Sequence, residues 1–337
     1  MRKWILLVLF VLPPVFADAQ DIHFSQYNNV PFYLNPAKAG MMSEQFRFSA
    51  NTKLQWRSVT LPYQTYLAAG DVSFQRKGSH LGKVGLGLDF MREKAGDAAF
   101  GTSGFGMAAS YIKALNRFNN QFLSGGVSFR MHQRSFDSDE LSFDNQYNGL
   151  NYDPSLEGGE TFSEMNFWYP VLNAGGAYMK RFDQRHELTA GLSVLNINRP
   201  AQSHFNDNSI RLRTRWVADV SYNTAVTRNS ALVPSVFFSK QGVFTELIFG
   251  ADYRYVKSFN PWSYKAYSGG LFYRVGDGFI MSARLDFLNY KFGISYDLNT
   301  SKLVPASQLR GGFEFSIIAV FNRASHQSNR EIPCPIF

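Results

Sequence analysis

Beyond residue 20 the chain has no apolar run approaching the ~18 residues that a membrane-crossing helix requires, so any membrane crossing must use strands. It has a single cysteine, Cys334, which excludes an intramolecular disulfide; in an oxidising compartment that thiol has only a partner's cysteine to pair with. H-E-x-x-H, G-x-S-x-G and Walker A motifs are absent. The six histidines, His23, His80, His132, His186, His204 and His326, are too dispersed to suggest a metal site. Asp144, Asp153, Glu157 and Glu160 share one stretch but lack EF-hand spacing, and read as a solvated acidic loop. No enzyme activity, metal or cofactor is expected. The formal net charge of +8 comes from basic residues spread along the chain without a cluster, so nucleic acid is not an expected partner.

What the chain has in quantity is aromatic residues, with 32 Phe and 17 Tyr, together with 27 Gly. It is 45% hydrophobic, yet its mean hydropathy is only -0.21. That combination suits half-buried strands. The first residues carry Arg2 and Lys3, the apolar run Trp4–Leu12 and an Ala17-Asp18-Ala19 site, so residues 1–19 are expected to be a secretory signal peptide cleaved before Gln20.

The stretch 278–298 sets the pattern for the rest. Phe279, Met281, Ala283, Leu285 and Phe287 alternate with Ser282, Arg284 and Asp286. After one slip of parity at Leu288-Asn289, Tyr290, Phe292, Ile294, Tyr296 and Leu298 alternate with Lys291, Gly293, Ser295 and Asp297. Successive strand side chains point to opposite faces, so this is a hairpin with one apolar and one polar face. The same alternation recurs in Phe46–Arg57, Tyr63–Arg76, Lys83–Lys94, Phe100–Leu115, Gln121–Arg134 and Val171–Phe182. It continues in His186–Ile197, Arg213–Val226, Ala231–Lys240, Val243–Val256, Ala266–Val275 and Gly311–Phe321.

With the two arms of the hairpin these make fourteen segments, undivided by any linker. Strands of about ten residues, apolar on one side only, fit an all-β transmembrane antiparallel barrel of the bacterial outer-membrane type. Arg284, Asp286, Lys291 and Asp297 are then lumenal, because on the lipid face each would cost a few kcal/mol. Aromatics near segment ends (Trp56, Tyr63, Tyr111, Phe182, Trp216, Tyr255, Tyr290) fit interfacial girdles. The long polar connections 135–170, 198–212 and 299–310 follow odd-numbered segments, which puts them on one side. Long outer loops and short periplasmic turns are the rule in such barrels. The expected organisation is a signal peptide, an aromatic segment at 20–45, a barrel at 46–321 and a tail at 322–337.

Residues 20–40 read QDIHFSQYNNVPFYLNPAKAG. Gln20-Asp21, Phe24-Ser25-Gln26, Tyr33-Leu34-Asn35-Pro36-Ala37 and Ala39-Gly40 resemble the opening of the PorP/SprF family. Gln55-Trp56 and the final Cys334-Pro335-Ile336-Phe337 add to the likeness. Lys53 replaces an arginine of the family pattern, and Gln308–Glu314 departs from its usual Gly-Ser-His-Glu. The resemblance implies an outer-membrane barrel of the type IX secretion system. Implied partners are a secreted adhesin-like cargo, held through its C-terminal domain, or periplasmic lipoprotein and ring subunits, besides outer-membrane lipid. The adhesin-dedicated role is the preferred one, and a diffusion porin or solute channel is the alternative. The candidate partner-binding residues are Asp21, His23, Phe24, Ser25, Gln26 and Tyr27, then Pro31, Tyr33, Leu34, Asn35 and Pro36, and Trp168 and Tyr169 at the end of the long loop. For residues 21–40 the competing reading is a plug that only stabilises the barrel.

Overall fold

The computed structural model describes residues 21–322 apart from 56–61, 76–81, 97, 99, 138–140, 154, 157, 160–163, 206 and 302–303. The expected signal peptide, Trp56 and Cys334 lie outside the described residues. The strands are β1 (Phe46–Gln55), β2 (Tyr63–Gln75), β3 (Gly82–Ala95), β4 (Phe100–Ala114), β5 (Gln121–Ser135), β6 (Asn166–Arg181) and β7 (His186–Leu195). They continue with β8 (Arg215–Ala225), β9 (Ser230–Gln241), β10 (Phe244–Ser258), β11 (Lys265–Arg274), β12 (Gly278–Phe287), β13 (Tyr290–Asn299) and β14 (Arg310–Phe321). Each pairs antiparallel with its sequence neighbours, and β1 pairs with β14, so the sheet closes. This is the fourteen-stranded barrel that the alternation predicts. No helix among the described residues is long and apolar enough to span a membrane.

Alternation sorts the side chains as expected. On β3, Leu86, Leu88 and Phe90 face outward and are exposed, while Asp89 and Met91 are buried inside. In the hairpin β12–β13 the two-residue turn puts Leu288 at φ 51, and Phe287 pairs with Tyr290. The outward Tyr63, Tyr111, Phe182, Trp216, Tyr255 and Tyr290 are all exposed near strand ends. The connections after β5, β7 and β13 emerge at one rim, because every strand runs antiparallel to the one before it. By the loop-length rule that rim is the outer one and the short-turn rim is periplasmic.

One described boundary differs from expectation by more than two residues. The loop between β5 and β6 ends at residue 165, so Trp168, Tyr169 and Pro170 belong to β6. Pro170 reads as a strand breaker because it lacks an N–H. Here β6 pairs with β5 from Asn166 onward but with β7 only from Ala174, so its outer half is an edge. Leu172 N, which points to the same side as Pro170 N, donates to Asn198 Oδ1. The missing N–H of Pro170 therefore falls on the unpaired side.

Residues 21–40 lie inside the barrel. Asp21 sits near Asn196 and Gln241 at the outer end, and Gly40 reaches Asp71 towards the periplasmic end. Across the lumen, Ile22, Phe24, Tyr27, Val30, Tyr33 and Leu34 pack with the inward wall residues Leu67, Met91, Leu195, Val217, Phe237, Ile248, Phe272 and Ile280 in one buried apolar layer. The wall of β3–β7 approaches this segment closely because its inward positions there are glycine. A Cβ on Gly126 would come 2.6 Å from Ala37 N, one on Gly87 3.0 Å from the Phe32 ring, and one on Gly85 would overlap Ala39 O. Gly40 has φ 63, and a Cβ there would fall 2.6 Å from the Gly85 Cα. Outside, β14 and β1–β6 form a concave apolar groove of about 1440 Å³ that faces the bilayer and is lined by Phe48, Gly70, Leu88, Met107, Phe129 and Leu172 among others.

Neighbouring glycines on β5 test this arrangement. Gly126→Val should destabilise the barrel by about 3 kcal/mol or expel residues 35–38 from their seat, since backbone rather than a flexible side chain stands in the way. Gly125→Val, on the outward face with nothing within 4 Å, should leave stability within about 0.5 kcal/mol. Urea unfolding in detergent distinguishes them; equal behaviour would contradict the close seating of the segment.

Candidate functional site

The segment 21–40 is short on secondary structure, with a turn at Tyr27–Asn29, four helical residues at Pro31–Leu34 and a turn at Pro36–Lys38. Its turns satisfy some of its backbone polar groups, such as Asn29 N on Gln26 O and Lys38 N on Asn35 O, and the wall satisfies others. From the outer end, Asp21 N donates to Gln241 Oε1 at 2.9 Å, and its carboxylate accepts from Asn196 Nδ2 at 2.6 Å. Arg215 donates to Ile22 O and Lys53 to His23 O. Ser25 N and Gln26 N both donate to the Glu314 carboxylate, at 2.8 and 3.1 Å. Ser25 Oγ donates to Asp297 and accepts from Arg274. Gln26 Oε1 accepts from Asn29 and Ser316. Tyr27 stacks on Phe237 with centroids 4.6 Å apart and bonds Ser235 through its hydroxyl at 2.9 Å. Burial pushes the Tyr27 phenol up to about 12, so it stays protonated. Lys53, and then burial, hold the His23 ring well below its ordinary value, so it stays neutral.

The second half meets the glycine-lined wall and is held by its own carbonyls. Inward serines donate to them: Ser193 to Leu34 O, Ser124 to Ala37 O and Ser110 to Ala39 O, each at 2.6 Å. Asn35 has two tasks. Its Oδ1 accepts from Ala37 N, which caps the turn that Pro36 begins, and its Nδ2 donates to Gly176 O at 3.0 Å. Gly175 gives it room, because a Cβ there would overlap Asn35 Oδ1. Lys38 pairs with Asp219, and Gly40 N donates to Asp71, which also receives Arg47 in two hydrogen bonds. Pro31 opens the helical turn, and its carbonyl accepts from Asn35 N. The motif Tyr-Leu-Asn-Pro-Ala-x-Ala-Gly thus reads as the sequence of a close backbone fit.

Arg130 joins wall and plug at Tyr33. Its Nε donates to Asp89 at 2.9 Å, its Nη2 donates to Tyr33 O at 3.1 Å, and its guanidinium lies 4.3 Å from the Tyr33 ring centroid. Burial also raises the Tyr33 phenol.

The structure brings the candidate residues at 21–36 together in the lumen, where most are buried. Phe24 is 2% exposed and Asn35 1%. Of the other two, Tyr169 faces inward, edge-on to His132, and accepts from Gln202; Trp168 faces out on the barrel wall against Phe105. The two long outer loops meet through His204, whose ring contacts Phe136 and Phe167 and whose Nδ1 lies 2.8 Å from Glu164 O. Sequence reasoning missed the wall residues that seat the plug: Arg130, Glu314, Asp71, Asp219 and the three serines. The inward parity of these positions was the available signal, since a charge on that face needs a partner. Among the described residues no group of His, Cys, Asp or Glu is placed to hold a metal.

Residues 16–318 match the family described as type IX secretion system membrane protein PorP/SprF. The chain belongs to that family. No curated protein matches it. Among solved structures, the toluene transporter TbuX of Ralstonia pickettii aligns with TM-score 0.51 and 10% identity, over 87% of this chain and 94% of that one. The P. putida toluene transporter TodX aligns with TM-score 0.45 and 10% identity, over 86% and 93%. CdiB from Acinetobacter baumannii aligns with TM-score 0.43 and 8% identity, over 82% of this chain and 60% of that one. At these identities the likeness to TbuX is one of fold. This PorP/SprF member is an outer-membrane β-barrel, and its residues 21–40 lie in the lumen.

Arg130→Leu should cost about 3–5 kcal/mol, because Asp89 would be left charged and unpaired inside the barrel. Replacing both partners, Arg130→Leu with Asp89→Leu, should recover most of that loss. Unfolding of the three variants in one detergent checks the pattern; equal losses in the single and double variants would contradict it.

Proposed function

We propose that this barrel is a closed, protein-binding component of type IX secretion, which holds a secreted adhesin-like protein at the outer membrane through that protein's C-terminal domain. Contact with periplasmic lipoprotein or ring subunits is the other arm of the proposal. The carrying observation is the apolar layer that crosses the lumen, formed by plug and wall side chains together. A diffusion pore needs a continuous hydrated path, and this layer interrupts it. With the lumen interrupted in this way, the work of the molecule falls to its rims. At the outer rim the loops at 136–165 and 196–214 are pinned together by His204, which makes them a joint surface for a protein partner.

The seating of the plug supports a structural role for its residues. In the closed barrel Ser25, Asn35 and Pro36 act on partners only by holding the barrel's shape, whereas the exposed Asn28 and the outer loops stay accessible.

The intact protein in a planar bilayer should show at most small, infrequent conductance steps, and purification from outer membranes in mild detergent should recover a stoichiometric secretion-system protein. Stable ohmic conductance from the intact barrel, together with recovery of the barrel alone across several detergents, would contradict the proposal and support a channel.

A further inference from the structure

Under the plug lies a second cavity, of about 300 Å³, that reaches the periplasmic rim at Met41, Met42, Ser43 and Glu44. Its roof is the plug between Tyr27 and Leu34, and its side walls come chiefly from β7–β14. Basic and acidic groups line it in nearly equal number, and most are matched. Lys38 pairs with Asp219, Arg181 with Glu187 and Arg254 with Asp286, the last two at 2.6 Å.

The match fails at one place. Arg254 on β10, Arg284 on β12 and Lys291 on β13 share two carboxylates, Asp252 and Asp286. Arg284 holds them loosely, at 3.7 Å from Asp252 and 4.0 Å from Asp286. Lys291 stands directly opposite Asp286 in the β12–β13 ladder, but Asp286 is engaged by Arg254. Among the described residues Lys291 has no carboxylate within ion-pair distance. Asp286 is 2% exposed, and its Oδ1 has no hydrogen-bond partner. Glu44 at the rim also acts on Lys291, from beyond ion-pair distance; in the buried part of the wall, three cations on two carboxylates leave one positive charge, where a carboxylate that reaches Lys291 directly is favoured. Met41, Met42 and Met179 border the cavity with flexible apolar side chains that fit irregular partners.

We propose that this vestibule is a docking socket for an acidic segment of a periplasmic polypeptide, with one carboxylate seated between Lys291 and Arg284. A cavity of this size admits a ligand of drug size, so the socket takes a stretch of about two or three residues and not a folded domain. The inference rests on the reading of the barrel as a protein-binding component, and it names the chemistry of the periplasmic partner.

The test uses the full-length barrel in detergent at low salt and a rhodamine-labelled peptide, Gly-Ser-Asp-Asp-Ser-Gly, blocked at both ends. A second peptide carries Asn in place of both Asp residues. Fluorescence anisotropy should show at least tenfold tighter binding of the acidic peptide. Lys291→Gln should weaken that binding about tenfold while leaving the Asn peptide unchanged. Met42→Trp narrows the mouth without altering charge, and should weaken the acidic peptide as well; it keeps the test decisive where Lys291→Gln fails to fold. Equal affinity for the two peptides, or no effect of either variant, would overturn the socket. A truncation after Asn322 that bound the acidic peptide more than tenfold tighter would identify residues 323–337 as the occupant and also overturn it. A missing peptide interaction beside co-purified secretion partners would refute the socket and leave the protein-binding reading standing.

Discussion

The contact between plug and wall is the interaction on which the rest of this structure depends. About eight strands enclose an interior that side chains alone can fill; fourteen enclose more. The surplus has to be water or chain, and here it is residues 21–40. The plug is held in two ways. Against β3–β7 it packs backbone to backbone, which works only because Gly85, Gly87, Gly126 and Gly175 present no Cβ. Against β13 and β14 it is held through side chains, with Glu314 and Asp297 accepting from Ser25 and Gln26.

This two-sided seating shapes the whole barrel. Where glycines line the inside, the wall approaches the plug and its outer face is hollowed into the apolar groove over β14 and β1–β6. Where long polar side chains line the inside, the wall stands off and leaves the periplasmic vestibule. The closing seam is tied by the same segment. Glu314 on β14 accepts from the plug and from Asn51 on β1, and Lys53 on β1 reaches His23 O. The amino-terminal segment thus bonds both sides of the β1–β14 pairing that makes the sheet a barrel.

Much of the fold was legible because a strand's two faces have different solvents. Leu86, Leu88 and Phe90 must meet lipid and Asp89 must not, so parity alone reveals direction and count. The reading failed where a local rule was overridden by tertiary context. The polar connection reads as running to Pro170, yet that residue sits on a stretch of β6 that lacks a β7 partner. The candidate site was legible as a motif and opaque as a mechanism. Asn35-Pro36 could be singled out, but its seat at Gly175 and Gly176 lies some 140 positions away, and pairing at that distance leaves no periodic trace. The inward serines were equally silent, since Ser110, Ser124 and Ser193 look like ordinary polar members of an alternating strand.

Hydrogen–deuterium exchange of the purified barrel tests the central claim most directly. With the plug seated, the amides of Asp21, Ser25, Gln26, Ala37 and Gly40, all hydrogen-bonded to side-chain acceptors within the lumen, should exchange as slowly as those of the strands around them. Exchange of this segment within seconds, at the rate of the outer loops and with the strands still protected, would mean that the plug does not hold the barrel closed.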